Sequence, residues 1–252
     1  MSVTKILFSG VCGRMGKATR AAVEGSGEYQ IVAGVDVNPV PDTIPIFADI
    51  YDTNIEIDAI IDFSHHSATP RLLEWAKENN TPVVICTTGH TEEETALIHA
   101  AAEKIPVFFS RNMSIGINLM IELAKKAAEI LGGYDIEIVE KHHNKKLDAP
   151  SGTALMIADA VAETVPFEAE YTYERQSKRE QRRPTEIGIS SVRGGTIVGE
   201  HEILFCGKDE IVSISHSAAS RDVFAEGALR AAAYLVGKPA GFYNMSDMIA
   251  GK

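Results

Sequence analysis

The feature that most constrains this chain is a rhythm in its first half. Short apolar runs at Lys5–Ser9, Gln30–Asp36, Ile57–Phe63, Pro82–Cys86 and Pro106–Phe109 alternate with helical patterns at Arg14–Glu24, Ala68–Asn79 and Glu92–Lys104. Runs of that length read as strands buried on both faces. Strands joined by helices require right-handed crossovers, and those build a parallel sheet with helices on each side. The segment Asn38–Thr53, with three prolines, is expected to be irregular.

The rhythm changes after Ile115. A helix at Ile117–Leu131 is expected to stop at a Gly132-Gly133 C-cap. A strand at Asp135–Glu140 leads into a basic stretch, and a helix follows at Ser151–Thr164. Glu186–Val192, Thr196–Phe205 and Glu210–Ser217 are three strands with little helix between them, so a mixed or antiparallel sheet is expected. The last helix, Val223–Val236, is amphipathic and expected to return to the first unit. The fold class is therefore α/β, a Rossmann-like doubly wound parallel sheet with a second α+β domain. Boundaries are placed at 1–114 plus 223–252 for the first domain and 115–222 for the second. A length of 252 residues suits two domains.

Composition narrows the function. Hydrophobic residues make up 45% and charged residues 23%, which excludes a disordered chain. The net charge of −11 argues against nucleic acid or an anionic membrane as partner. No apolar run approaches the roughly 18 residues that cross a bilayer. The opening residues do not read as a signal peptide, so a soluble, cytoplasmic protein is expected. Cys12, Cys86 and Cys206 form no Cys-x-x-Cys pair; each is expected to be a small buried hydrophobe, and no metal site is expected.

Gly10-Val11-Cys12-Gly13-Arg14-Met15-Gly16 lies between the first strand and the first helix. Glycines there allow a tight turn and close approach to a pyrophosphate, while the helix N-terminus supplies N–H groups. The spacing is G-x-x-G-x-x-G, with Cys12 where the common Rossmann fingerprint has its second glycine. A ligand-free βα turn would use the same residues. Asp36, 20 residues after Gly16, ends the second strand, where a carboxylate accepts bonds from both ribose hydroxyls and repels a 2′-phosphate. Neither Val37 nor Asn38 offers a cation, so NADH is expected to be preferred over NADPH; Arg14 is the one nearby guanidinium.

The most informative segment is Glu140-Lys141-His142-His143-Asn144-Lys145-Lys146-Leu147-Asp148-Ala149-Pro150-Ser151-Gly152-Thr153-Ala154. It concentrates cations in an acidic protein and so attracts a carboxylate ligand. Histidine exchanges protons near neutral pH. Ser151 is a reasonable N-cap, with Gly152 and Thr153 presenting N–H groups to an anion. A solvated charge run beside an ordinary capped helix would share this pattern.

These residues carry a resemblance. The chain resembles the 4-hydroxy-tetrahydrodipicolinate reductase (dihydrodipicolinate reductase) family of the bacterial lysine pathway. The motifs are Gly-x-x-Gly-Arg-Met-Gly at 10–16, Asp62-Phe63-Ser64, Thr87-Thr88-Gly89, Asn112-Met113-Ser114, the segment 140–154 and Arg193 through His201. The resemblance implies reduction of a cyclic product of pyruvate and aspartate semialdehyde with NADH or NADPH. It implies His142 as proton donor/acceptor and Lys146 as proton donor. His143, Gly152 and Thr153 would bind the substrate's carboxylates. Gly10, Val11, Cys12, Gly13, Arg14 and Met15 would hold the pyrophosphate and Asp36 the adenosine ribose. Cys86, Thr87 and Thr88, with Ser110, Arg111, Asn112 and Met113, would line the nicotinamide side. At Cys86 and Met113 the chain departs from the glycine and phenylalanine frequent in the family. A homotetramer built through the second sheet is also implied.

Other candidates weigh less. His65-His66 lacks a third metal ligand at telling spacing and is expected to lie near the cofactor. His216 and Arg221 are expected between the last strand and the last helix, at a hinge. Tyr234 reads as packing. Arg175, Lys178, Arg179, Arg182 and Arg183 read as a solvated loop that could steer substrate. Two further readings are a different two-domain nicotinamide dehydrogenase, which a substrate panel separates, and a nucleotide-sensing protein without turnover.

Overall fold

The computed structural model describes residues 3–251. The chain opens with β1 (Thr4–Ser9), α1 (Arg14–Val23) and β2 (Tyr29–Val35). In the proline-containing segment that follows, a two-residue strand β3 (Ile46–Phe47) pairs with β2. A 3-10 turn at Ile50–Asp52 is capped by the Asp49 side chain. The expectation of a wholly irregular stretch is corrected: the prolines confine pairing to two residues at the sheet edge. Then come β4 (Ala59–Asp62), α2 (Thr69–Glu78), β5 (Val83–Ile85), α3 (Glu92–Ala102) and β6 (Pro106–Phe109). The sheet runs β6-β5-β4-β1-β2-β3, and every pairing is parallel.

Period-two alternation divides the side chains of these strands between two cores. Ile6, Phe8, Ile61, Val84 and Phe108 enter one core, and Leu7, Ile60, Val83, Ile85 and Val107 the other. Leu72, Leu73, Trp75 and Ala76 of α2 close the second core with Ile98, Ala101 and Ala102 of α3. The order of the sheet reverses at β1, which pairs with β2 on one side and β4 on the other. A ligand crevice forms at the carboxyl ends of strands where such a reversal occurs.

The second unit begins within α4 (Ile115–Ile130). Neither Gly132 nor Gly133 adopts a positive φ, so the expected glycine C-cap is corrected. The helix ends through N–H bonds from Leu131 to the Ala127 carbonyl and from Tyr134 to that of Leu131. Next are β7 (Asp135–His142), α5 (Gly152–Ala162), a three-residue strand β8 (Glu170–Thr172), β9 (Glu186–Arg193), β10 (Gly199–Cys206) and β11 (Ile211–Ala218). The sheet order is β11-β10-β7-β9-β8; β7–β9 and β8–β9 are parallel, the rest antiparallel. Ile136, Ile138, Ile187, Ile189, Ile203 and Phe205 pack with Ile117, Ile121 and Ala124 of α4 and Ala154, Ile157 and Val161 of α5. The alternate residues, among them Lys141, Glu200, Glu202 and Ser215, occupy the opposite face.

The chain then returns to the first unit. Ala228, Leu229, Ala231, Ala232 and Leu235 of α6 (Asp222–Leu235) join the core of Ile6 and Phe8. A last strand, β12 (Gly241–Tyr243), adds in parallel to β6, and α7 (Met245–Ile249) ends the fold. Contacts divide the chain into Met1–Ile115 with Arg221–Lys252, and Gly116–Ser220.

Three smaller expectations change. His216 lies within β11, opposite His201, not beyond the strand. Cys12 and Cys206 are half-buried; only Cys86 is fully packed, and burial pushes its thiol up. Three arginines of the run at 175–183 are not simply solvated. Arg175 pairs with Glu137 and Glu186, Arg182 with Asp135 and Glu137, and Arg183 with Glu170 and Glu186.

Candidate functional site

In the first unit the glycine loop is shaped by close backbone approaches. Gly10 has φ +81°, and a Cβ there would lie 2.8 Å from the Phe63 carbonyl oxygen. A Cβ on Gly16 would lie 2.0 Å from the Val11 carbonyl oxygen, so only glycine lets α1 start against β1. Several loop N–H groups have internal partners: Gly10 and Val11 donate to the Val35 carbonyl, and Gly13 to that of Gly10. Val11 is buried, with its side chain over Gly34. Gly13 caps α1 without a side-chain bond, and no acidic residue stands in the first turn. The helix N-terminus at Arg14 and Met15 is thus the part of the loop able to meet a pyrophosphate.

Asp36 takes part in this architecture. Its Oδ2 accepts from the Cys12 N–H at 3.0 Å and its Oδ1 from the Asn38 N–H at 3.1 Å. The carboxylate is held beside the loop, and its remaining lone pairs can accept further bonds. A cleft of about 410 Å³ lies there, lined by Gly10, Gly13, Asp36, Val37, Ser64, His65 and Arg71. The sequence reading did not mark Arg71, whose guanidinium pairs with Asp49 and lies 4.5 Å from the centre of the Tyr51 ring. His65 lines the cleft, whereas His66 binds Glu94 at 2.8 Å.

The residues expected on the nicotinamide side sit on the loops after β5 and β6. The Cys86 N–H donates to the Asp62 carbonyl, and the Thr87 hydroxyl donates to Asp62 Oδ2 at 3.0 Å. Thr88 is exposed. Ser110 Oγ donates to the Asn112 carbonyl, and Asn112 Oδ1 accepts from the Ser114 N–H. Arg111 is exposed; Met113 is buried, its carbonyl tight against Gly227.

In the second unit the strand period carries polar residues into the core. Glu140 and His142, two apart on β7, face the same side. Glu140 is 0% exposed and His142 8%. Nδ1 of His142 lies 2.6 Å from Glu140 Oε2. Arg193 of β9 binds the same carboxylate with both ends, at 2.8 Å to Oε2 and 2.6 Å to Oε1. The Ser151 N–H donates to Oε1 at 3.1 Å. Burial alone would raise the Glu140 carboxyl; Arg193, Ser191 and His142 outweigh it and hold it near about 2. Burial, with Lys146 and Arg193 adding, lowers His142 below its ordinary value against the opposing effect of Glu140.

Ser151 caps α5 as expected, its Oγ accepting from the Ala154 N–H. The same Oγ lies 3.0 Å from His201 Nε2, and the His201 ring meets that of His142 edge-on at 5.2 Å. Lys146 pairs with Asp148 at 2.9 Å. Gly152 opens the first turn of α5 with nothing near its Cβ position, Thr153 follows it, and half-buried His143 stands beside His142 in the chain. Glu140, Arg193 and His201 stood within quoted motifs but were assigned no site role in the sequence reading. The spacing of Glu140 and His142 on one strand was the available signal; the reach of Arg193 across 53 residues left none. Among the described residues no group of three or more His, Cys, Asp or Glu could hold a metal, and no helix is long and apolar enough to cross a membrane.

A parallel sheet wound both ways from β1, a glycine loop at the reversal, a carboxylate ending β2 and a separate mixed-sheet unit with a buried histidine define a class: two-domain, nicotinamide-dependent oxidoreductases. The family is narrower. Residues 4–113 match the model for the dihydrodipicolinate reductase N-terminus, and residues 116–249 that for its C-terminus. A 4-hydroxy-tetrahydrodipicolinate reductase of Caldanaerobacter subterraneus subsp. tengcongensis is 51% identical over 97% of this chain and 98% of that protein. One from Clostridium tetani is 43% identical over 98% and 97%. The structure of a dipicolinate-bound dihydrodipicolinate reductase from Paenisporosarcina sp. TG-14 superposes with a TM-score of 0.80 at 25% identity, covering 96% of this chain and 97% of that one. The chain belongs to the dihydrodipicolinate reductase family.

Proposed function

We propose that His142 and Lys146 manage the protons, and the Gly10–Met15 loop with Asp36 grips the dinucleotide, in the reaction of this 4-hydroxy-tetrahydrodipicolinate reductase. That reaction is the NAD(P)H-dependent reduction of 4-hydroxy-tetrahydrodipicolinate to tetrahydrodipicolinate in lysine (diaminopimelate) biosynthesis. The observation that carries the assignment of roles is the buried pair of His142 and Glu140 in the segment that also holds Lys146 and the start of α5.

When bound, NAD(P)H would supply a hydride to an electron-poor carbon of the ring. The chain must then meet the negative charge that builds on the ring. His142 is placed to exchange a proton, and the Lys146 ammonium is a second donor whose direction Asp148 sets. A positioned acid of this kind contributes on the order of 10²–10⁴-fold. His143, Gly152 and Thr153 bind the carboxylates at the N-terminus of α5, fixing the ring for reduction. Dipicolinate, present in the Paenisporosarcina structure, is a cyclic dicarboxylate of the kind this arrangement suits.

The anchored Asp36 favours NADH, since a 2′-phosphate would face its charge. A homotetramer through the helix-free face of the second sheet accords with the exposed Val192 and Ile211 on its strands. The test couples the protein to a synthase that makes substrate from pyruvate and aspartate semialdehyde, with NADH and NADPH compared in parallel. Synthase-dependent oxidation with a higher kcat/KM for NADH is expected, and Asp36→Ala should shift the ratio about tenfold toward NADPH, the worth of one good hydrogen bond. Absence of turnover would defeat the reading, and an NADPH preference would defeat the role of Asp36. Light scattering on the same sample should give four chains per particle.

A further inference from the structure

The strongest unassigned arrangement is the carboxylate behind His142. Glu140 has no exposure to solvent, and both of its oxygens are occupied by donors. Oε1 receives Arg193 Nη2 and the Ser151 N–H; Oε2 receives Arg193 Nη1 and faces His142 Nδ1. Such a carboxylate is ionised and accepts only. The nitrogen that faces it at 2.6 Å must therefore carry a hydrogen. The other nitrogen, Nε2, lies beside Gly199. A Cβ on Gly199, at the start of β10, would stand 3.1 Å from Nε2 and 3.5 Å from Cδ2. A glycine there leaves space at that nitrogen.

We infer that Glu140, clamped by Arg193, is the positioning residue that keeps the His142 proton on Nδ1. Nε2, beside Gly199, is then the nitrogen that exchanges a proton with the substrate. The inference rests on the proposed role of His142 and adds the atom and the device that orients it. The charged and titratable groups around the ring are Glu140 on β7, Lys146 in the loop after β7, Arg193 on β9 and His201 on β10. Lys146 and Arg193 disfavour a second positive charge, and Glu140 is the group that opposes them.

Glu140→Gln tests this with little change of shape. Its amide oxygen stays with Arg193 Nη2 and the Ser151 N–H, so its NH₂ gives up the bond from Arg193 Nη1, faces His142 Nδ1 and donates to it. The neutral ring then moves its proton to Nε2. Nitrogen NMR of imidazole-labelled protein, without cofactor or substrate, reads the tautomer; the signal absent from His142→Gln identifies the residue. Expected are an Nδ1–H ring in the wild type and an Nε2–H ring in Glu140→Gln. In the coupled assay kcat should fall by about 10²-fold with KM nearly unchanged. The high-pH limb of kcat should move down by about one unit or more, because the imidazolium loses its opposing charge.

A wild-type ring protonated on Nε2 overturns the inference, and that spectrum needs no variant to fold. A Glu140→Gln protein with unchanged tautomer and pH limb, however slow, also overturns it and leaves Glu140 a structural role. Gly199→Ala should keep the Nδ1–H signal and lose tenfold or more in kcat; full activity there removes Nε2 from the exchange. If the spectra behave as expected but no variant or wild type turns over, the orienting device stands and the proposed function fails.

Discussion

The two sheets of this chain use the same backbone pattern for opposite ends. In the parallel sheet both faces are covered, and β1, β4 and β5 put almost only apolar side chains into the cores. The residues we propose for the dinucleotide sit at its strand ends and in the loops beyond them, at Gly10, Asp36 and Thr87. In the mixed sheet helices cover one face, and the strands carry Glu140, His142 and His201 into that buried side. A fully apolar sheet can hold a loop still. A sheet with buried polar groups in contact with one another can also set which nitrogen of an imidazole is protonated. The first arrangement suits gripping a large dinucleotide, and the second suits moving a proton.

The largest test of this contrast is His142→Gln. Turnover should fall about 10²–10⁴-fold, while NADH binding followed by fluorescence stays as in the wild type. Loss of NADH affinity in this variant would break the division of labour. A second test uses acidity. Burial, with His142 adding, lowers His201 from 6.5 to about 4. A base whose pKa falls on folding binds more protons when unfolded, so its contribution is complete above about pH 6.5 and is lost as pH falls toward 4. Urea unfolding should show that loss, on the order of 3 kcal/mol, and His201→Gln should flatten it. An identical slope in the variant would place the acid sensitivity elsewhere. The third is Gly16→Ala, where the methyl would meet the Val11 carbonyl at 2.0 Å. Overpacking of this kind costs about 1–3 kcal/mol, seen as a lower urea midpoint; an unchanged midpoint would mean the loop yields easily.

The doubly wound sheet was legible because β1, β2, β4, β5 and β6 are buried on both faces and so read as continuous apolar runs. The strands β3, β8 and β12 have two or three residues each, too few for any period to register. Arg175 and Arg182 read as solvated because Asp135 and Glu137, which they pair with, lie roughly 40 residues or more away. His142 and Lys146 stood out as cations in an acidic chain. Glu140 was quoted in the same segment but, as one of 35 acidic residues, did not stand out until its burial was seen.

The late return of the chain bears on how the protein is made. The core of Ile6, Phe8 and Val84 is closed by α6, which ends at Leu235. On the ribosome, residues up to Ile115 emerge with that surface bare. At 5–20 residues per second, the covering helix follows roughly 6 to 24 s later. Through that interval the nascent first unit is sticky and must be shielded by the intervening chain or by a chaperone. A message cut short before the codon for Asp222 would yield a product prone to aggregate, even though it encodes the glycine loop, Asp36 and His142.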